Sequence, residues 1–386
     1  MYDFDKEYVR KESQCYKHDA MKIVYGRDDL LPLWVADMEF ATAPEIIKAI
    51  QKRIEHPIFG YNFKGFDYFK NFIKYVAKRH NWETQSSWML MSPGIVPAIN
   101  FLIKIFTNEG DSVVIQQPVY APFGEAVTSH SRNLLINELV EKDGEYTFDY
   151  EDLEAKLKVA KVLIFCSPHN PIGRVWREEE LLKIGRLCKK HNVLIFSDEI
   201  HNDLIYKGYK HTPIAMLEDF GDLTVTLMAP SKTFNIAGLQ SSVLITQNEE
   251  ILKKIKHYFF AIHVYGSNSI GNVAFDAAYT DGEAWLEALL EYLEANADYL
   301  VGRIAKMPYL KLRKPEGTFL AWVDFKDTGL SLPEIKELCI NKADLALNDG
   351  ISFGQNGSGF MRLNFGCPRA VLVKAMDNLE SALKDI

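Results

Sequence analysis

The chain has 386 residues, of which 47% are hydrophobic and 25% charged, a composition that fits two or three globular domains with a large core and excludes a disordered chain. Its formal net charge of -8 argues against a broad basic face for nucleic acid or anionic membrane, while leaving small charged ligands open. The five cysteines (Cys15, Cys166, Cys188, Cys339, Cys367) are scattered and form no C-x-x-C pair, so neither a disulfide framework nor a metal site is expected, and a reducing cytoplasm is the natural compartment.

In chain order, Met1 to Glu7 carries no apolar signal core, and no later apolar run is long enough to span a bilayer. The first 45 residues are rich in turn formers and end at a helix starting near Pro44; they are expected to pack on the C-terminal part. Behind Ser92-Pro93-Gly94, the apolar residues Ile95, Ile99, Leu102, Ile103 and Phe106 recur at helical spacing, so a helix begins near Gly94. Runs at 112–116, 161–166, 193–197, 223–228 and 241–246 alternate with helical patterns. They are continuously apolar, which predicts a largely parallel sheet covered by helices on both faces. A long helix over 283–306 connects to a different pattern: strand-like 309–313 and 318–325, a helix after Ser331-Leu332-Pro333-Glu334, strand-like 359–365 and a last helix from Pro368. The expected fold is α/β, divided into an N-terminal segment (1–45), a large domain with a mostly parallel mixed sheet (46–285) and a smaller α+β domain (286–386).

Lys232, in Ala229-Pro230-Ser231-Lys232-Thr233-Phe234-Asn235, follows the apolar run 223–228 and is placed on the exit loop of a buried strand. A loop lysine is ordinarily solvated, but an amine held there can form a Schiff base with an aldehyde cofactor, and pyridoxal phosphate (PLP) is the commonest. Five other positions keep it company. Asp198 ends the run 193–197 at the sheet edge where α/β ligands bind, and could pair with a protonated pyridine nitrogen or simply cap the next segment. Asn170, held in Ser167-Pro168-His169-Asn170-Pro171, can aim its amide at one acceptor, or serve as a turn residue. Gly94 and Ile95 open a helix whose first amides suit a phosphate. Tyr120 follows the run 112–116, where its ring could stack on a planar cofactor or pack on the surface. Arg362, in Phe360-Met361-Arg362-Leu363-Asn364-Phe365, sits among apolar neighbours and needs an anion, either a structural carboxylate or a substrate's.

These motifs, in this order and across nearly the whole chain, resemble the fold-type-I PLP enzymes of the class I/II aminotransferase superfamily. Trp34-Val35-Ala36-Asp37-Met38, Asp198-Glu199-Ile200-His201 and Ser231-Lys232-Thr233-Phe234-Asn235-Ile236-Ala237-Gly238-Leu239 are similar to the MalY/PatB-type cystathionine β-lyases. The resemblance implies that Lys232 is the Schiff-base lysine and the acid/base at Cα, that Asp198 pairs with the pyridine nitrogen, and that Asn170 meets the phenolic oxygen. It further implies Tyr120 against the ring, the Gly94 and Ile95 amides with the Ser231 hydroxyl on the phosphate, and Arg362, with Ala36 and Asn170, at the substrate. Tyr61 of Phe59-Gly60-Tyr61-Asn62 matches a tyrosine that reaches the phosphate in a neighbouring subunit, which implies a homodimer with shared active sites. Two positions depart from the aspartate aminotransferase pattern: His201 stands where a tyrosine is usual near the phenolic oxygen, and Gln240 where a phosphate-binding arginine is usual.

The reaction this implies is α,β-elimination from L-cystathionine or a related cysteine S-conjugate, giving a thiol (homocysteine from cystathionine), pyruvate and ammonia, within methionine and wider amino-acid metabolism. Transamination shares the early steps, and the motifs alone do not divide the two. A regulatory role through protein contacts is the alternative of another class. DNA binding is disfavoured by the acidic charge and by a chain that starts almost directly in the enzyme region. The residues around the substrate side chain are not legible; stretches 34–37 and 258–260 are candidates, each more simply read as packing.

Overall fold

The computed structural model describes residues 2–65, 67–264, 266 and 268–384. The apolar runs become an eight-stranded sheet in the spatial order Met89–Ser92, Ser242–Ile245, Thr224–Met228, Leu194–Asp198, Ala160–Cys166, Ser112–Gln117, Asn133–Lys142, Glu145–Phe148. From Thr224–Met228 across to Asn133–Lys142 the strands run parallel. Antiparallel pairings close both ends of the sheet.

The pleat sends alternate side chains to opposite faces. Val113, Ile115, Val162 and Ile164 pack under the helices Ile95–Phe106, Pro122–Thr128 and Glu249–Ala261. Val114, Leu163, Phe165 and Ile195 pack under Tyr150–Leu157 and Glu178–Lys190. Both faces are therefore dry, which is why these strands read as unbroken apolar runs. Each such side chain contributes about 1.5–3 kcal/mol, and truncating Phe196 or Phe165 to alanine would cost about 3–5 kcal/mol.

The chain passes from Ser112–Gln117 to Asn133–Lys142 on one side, then returns through Ala160–Cys166 to the other side and continues outward. Where neighbouring strands lead off in opposite directions, the loops diverge and leave a crevice beyond the carboxyl ends.

After the 22-residue helix Glu283–Ile304, a three-stranded antiparallel sheet forms in the order Leu320–Asp324, Phe360–Asn364, Asn348–Asp349. The helix Leu332–Glu337 starts from a capping box between Ser331 and Glu334, and Arg369–Leu383 packs Leu372 and Leu379 into one core with Leu289, Leu293 and Leu300. The stretch 309–313, expected as a strand, makes only an isolated bridge between Lys311 and Asp324. Pro308 and Pro315 bracket a run too short to pair along its length. The N-terminal segment is tied across the molecule by the parallel pairing of Leu31–Pro32 with Leu345–Ala346. Among the described residues no helix is long and apolar enough to cross a membrane.

Candidate active site

Lys232 lies not on an open loop but in a single helical turn, Pro230–Thr233, directly after the strand Thr224–Met228. Pro230 occupies the first helical position, where its missing N–H is no loss. The Lys232 amine donates to the Ala36 carbonyl. Burial, with Arg362 and Lys17 acting in the same sense, outweighs Asp37 and Asp198 and pulls the amine down to about 8.

Asp198 is the last residue of Leu194–Asp198 and is buried. Its carboxylate accepts from the Ile200 N–H at 3.0 Å, which closes a local turn; no helix follows for it to cap, because residues 199–203 form turns. Burial pushes this carboxyl up to about 7, against the pull of the Ile200 amide and Lys232.

Arg362, in the small-sheet strand Phe360–Asn364, reaches across to the same space. Its guanidinium donates to Asn170 Oδ1 at 3.1 Å, the Trp34 carbonyl at 2.7 Å and Asn348 Oδ1 at 2.7 Å. Its Nε is buried without a partner, and no ion pair among the described residues involves it. Burial draws this group down to about 10. His201 is buried with Nδ1 unpartnered, and burial together with Lys232 and Arg362 pushes it down to about 3, so it is neutral.

Gly94 precedes the helix Ile95–Phe106, which has no side-chain cap. Its φ of 164° is extended backbone, and a Cβ there would meet only the Pro97 ring, Cδ at 3.4 Å and Cγ at 3.7 Å. Neither strain nor a clash within the protein asks for glycine, so the close approach expected at this position concerns what lies outside the chain.

Lys232, Ser231, Asp198, His201, Asn170 and Arg362 line one cavity of about 390 Å³. Tyr120, Gly94, Ile95, Ala36 and Gln240 line it as well. Tyr61 is elsewhere: it is fully exposed, in a stretch where Ile54, Ile58, Phe59 and Phe63 are exposed as well. Two polar wall residues escaped the sequence reading. Ser241 carries a buried hydroxyl without a partner, and Asn348 supports Arg362. Asn348 left a signal, an amide closing the apolar run Leu345-Ala346-Leu347; Ser241 left none beyond its place after Gln240.

Residues 28–379 match the model for aminotransferase class I and II. The chain belongs to this family. Cystathionine β-lyase PatB of Bacillus subtilis is 41% identical over 99% of this chain and all of its own length. A PLP-bound protein from Clostridium difficile 630, provisionally called an aminotransferase, is 45% identical with a TM-score of 0.97, covering 99% of this chain and 100% of that one. The PLP-bound C–S lyase from Staphylococcus hominis is 33% identical with a TM-score of 0.92, covering 99% and 98%.

The family's cofactor fits this wall. Asp198 is a buried carboxylate whose charge calls for a cationic partner, as a protonated pyridine nitrogen would be. The helix start at Gly94 and the orphaned Ser241 hydroxyl suit a phosphate, and Arg362 has an unused donor for a carboxylate.

Proposed function

We propose that this member of the family is a PLP-dependent carbon–sulfur β-lyase that acts by α,β-elimination on L-cystathionine and related cysteine S-conjugates, releasing a thiol, pyruvate and ammonia. The carrying observation is that a lowered lysine amine, a raised aspartate and a carboxylate-free arginine meet in one cavity of a chain 41% identical, end to end, to a cystathionine β-lyase.

When bound, PLP supplies an aldehyde for amines and a ring that withdraws electrons from the substrate Cα–H bond. The protein does the rest. Asp198 would hold the proton on the ring nitrogen, the Asn170 amide would meet the phenolic oxygen, and Tyr120 would pack against the cofactor ring. The Gly94 and Ile95 amides and the Ser231 hydroxyl would hold the phosphate, and neutral His201 would contact the cofactor without adding charge. Arg362 takes the substrate carboxylate through Nε and one Nη, flanked by Ala36 and Asn170. The Lys232 amine, at about 8, exchanges a proton near neutral pH and takes it from Cα.

The exposed apolar stretch from Ile54 to Phe63 supports a homodimer in which Tyr61 of a second copy reaches the phosphate. The location we propose is cytoplasmic, in keeping with free cysteines throughout. We keep the division at residues 45 and 285 as our reading of the domains.

Incubation with L-cystathionine and no added keto acid tests the assignment. Pyruvate and free thiol are expected; turnover that depends strictly on a keto acid would transfer the chain to the aminotransferase reading, whose early chemistry is the same.

A further inference from the structure

Behind the cavity wall lies a layer of buried charge that this chemistry does not use. Thr233, next after Lys232, is fully buried, and its Oγ1 donates to Asp203 Oδ2 at 3.0 Å. Asp203, itself fully buried, has its other oxygen 3.0 Å from His80 Nε2 and 3.3 Å from Arg79 Nε. Arg79 also donates to the Asp203 carbonyl at 3.2 Å and to Glu287 at 2.6 Å, which ties the cluster to the long helix Glu283–Ile304. Burial alone would raise the Asp203 carboxyl; His80 and Arg79 overcome it and hold the group below the usual carboxylate range.

The turn that carries Lys232 cannot hold itself. Its closing bond runs from the Phe234 N–H to the Pro230 carbonyl at 2.8 Å, and one turn of helix is unstable alone. The neighbouring tethers, Ile236 N–H to Ser231 and the Asn235 amide to the Met38 and Phe40 carbonyls, start from residues beyond the turn. Apart from the Lys232 amine itself, which donates to the Ala36 carbonyl, the side chain by which the turn is fastened to the scaffold is Thr233. Successive residues on a helix point about 100° apart, so fixing Thr233 toward Asp203 fixes where Lys232 points.

We propose that Asp203 is a positioning residue for the reacting amine: acting through the Thr233 hydroxyl, it sets the rotation of the turn Pro230–Thr233 so that Lys232 faces the cavity. This rests on the assignment of Lys232 as that amine. Thr233→Val removes the hydroxyl at nearly constant shape, Thr233→Ser keeps it, and Lys232→Ala serves as the control. The holoenzymes are compared for cofactor trapped on the chain by borohydride, for the pH midpoint of the lysine-linked cofactor's absorbance, and for kcat and KM with L-cystathionine.

Thr233→Val is expected to lower kcat about tenfold with KM within about twofold, to reduce trapping and to move the absorbance midpoint, while Thr233→Ser restores all of these. A Thr233→Val enzyme that only melts earlier, with trapping, midpoint and kcat unchanged, would overturn the proposal. So would a Thr233→Ser enzyme with kcat and trapping reduced about tenfold, a comparison that stands even if the valine variant does not fold. Trapping that persists in Lys232→Ala would instead remove the reading of Lys232, whatever Thr233 does.

Discussion

Two almost fully buried arginines separate the scaffold from the cavity. Arg174 donates to both oxygens of Glu316, at 3.3 and 3.1 Å, and to both oxygens of Glu180, at 2.8 and 3.0 Å. Arg362 has amide and carbonyl oxygens around it and no carboxylate. Removing a guanidinium from water is repaid only by an anion at close range, so Arg174 is complete and Arg362 is not. The aspartates divide in the same way: Asp203 is held low by His80 and Arg79, whereas Asp198 is pushed up to about 7. Buried charge that the chain itself neutralises holds the fold together; buried charge left unmatched marks where a ligand belongs.

The sharpest way to break that division begins with Lys232→Ala, expected to cut pyruvate release by about three orders of magnitude or more and to abolish the lysine-linked cofactor absorbance. Asp198→Asn comes next and carries two signs. Activity is expected to fall about 10²- to 10³-fold. The cofactor-free protein gains stability, because the raised carboxyl makes the folded state lose ground as pH rises from 3.8 through about 7. Melting curves at pH 8 should therefore favour the asparagine variant, with the gap closing near pH 4; a less stable variant at pH 8 would contradict the unmatched-charge reading. Third, Arg362→Gln should raise KM about a hundredfold with little loss of stability. Arg174→Gln should destabilise by about 3–5 kcal/mol and leave KM alone. Equal effects on KM from the two arginines would dissolve the comparison.

The unmatched groups were the legible ones. Asp198 ends a dry strand, Asn170, Lys232 and Tyr120 each come shortly after one, and a polar residue at the close of an apolar run stands out in a sequence. The sheet was legible for a related reason, since helices on both faces leave strands with no polar alternation. Matched charge was not legible. Asp203 and His80 lie 123 positions apart, and Glu199-Ile200-His201-Asn202-Asp203 has the composition of a solvated loop until packing buries it. Lys232 on a helical turn was missed because four residues carry no periodicity, and the strand expected over 309–313 failed because alternation is uninformative in so short a run.

The smallest effect lies beside the cavity, in a cluster of the matched kind. Glu39 meets Lys17 Nζ at 2.7 Å, Arg10 Nη1 at 2.8 Å and His18 Nε2 at 3.1 Å. Burial would raise its carboxyl, but Lys17, His18 and Arg10 hold it at about 2, below the ordinary 4.5. A folded-state value below the unfolded one stabilises the fold above pH 4.5, and that stabilisation fades as pH falls toward 2. Glu39→Gln is thus expected to destabilise by about 1–2 kcal/mol at pH 7, through the lost charge rather than lost shape. Urea denaturation of the two proteins from pH 7 downward should show the gap narrowing below pH 4.5. A gap that stays constant down to pH 2 would mean that Glu39 acts by packing, and that the N-terminal segment is not held over the cavity by charge.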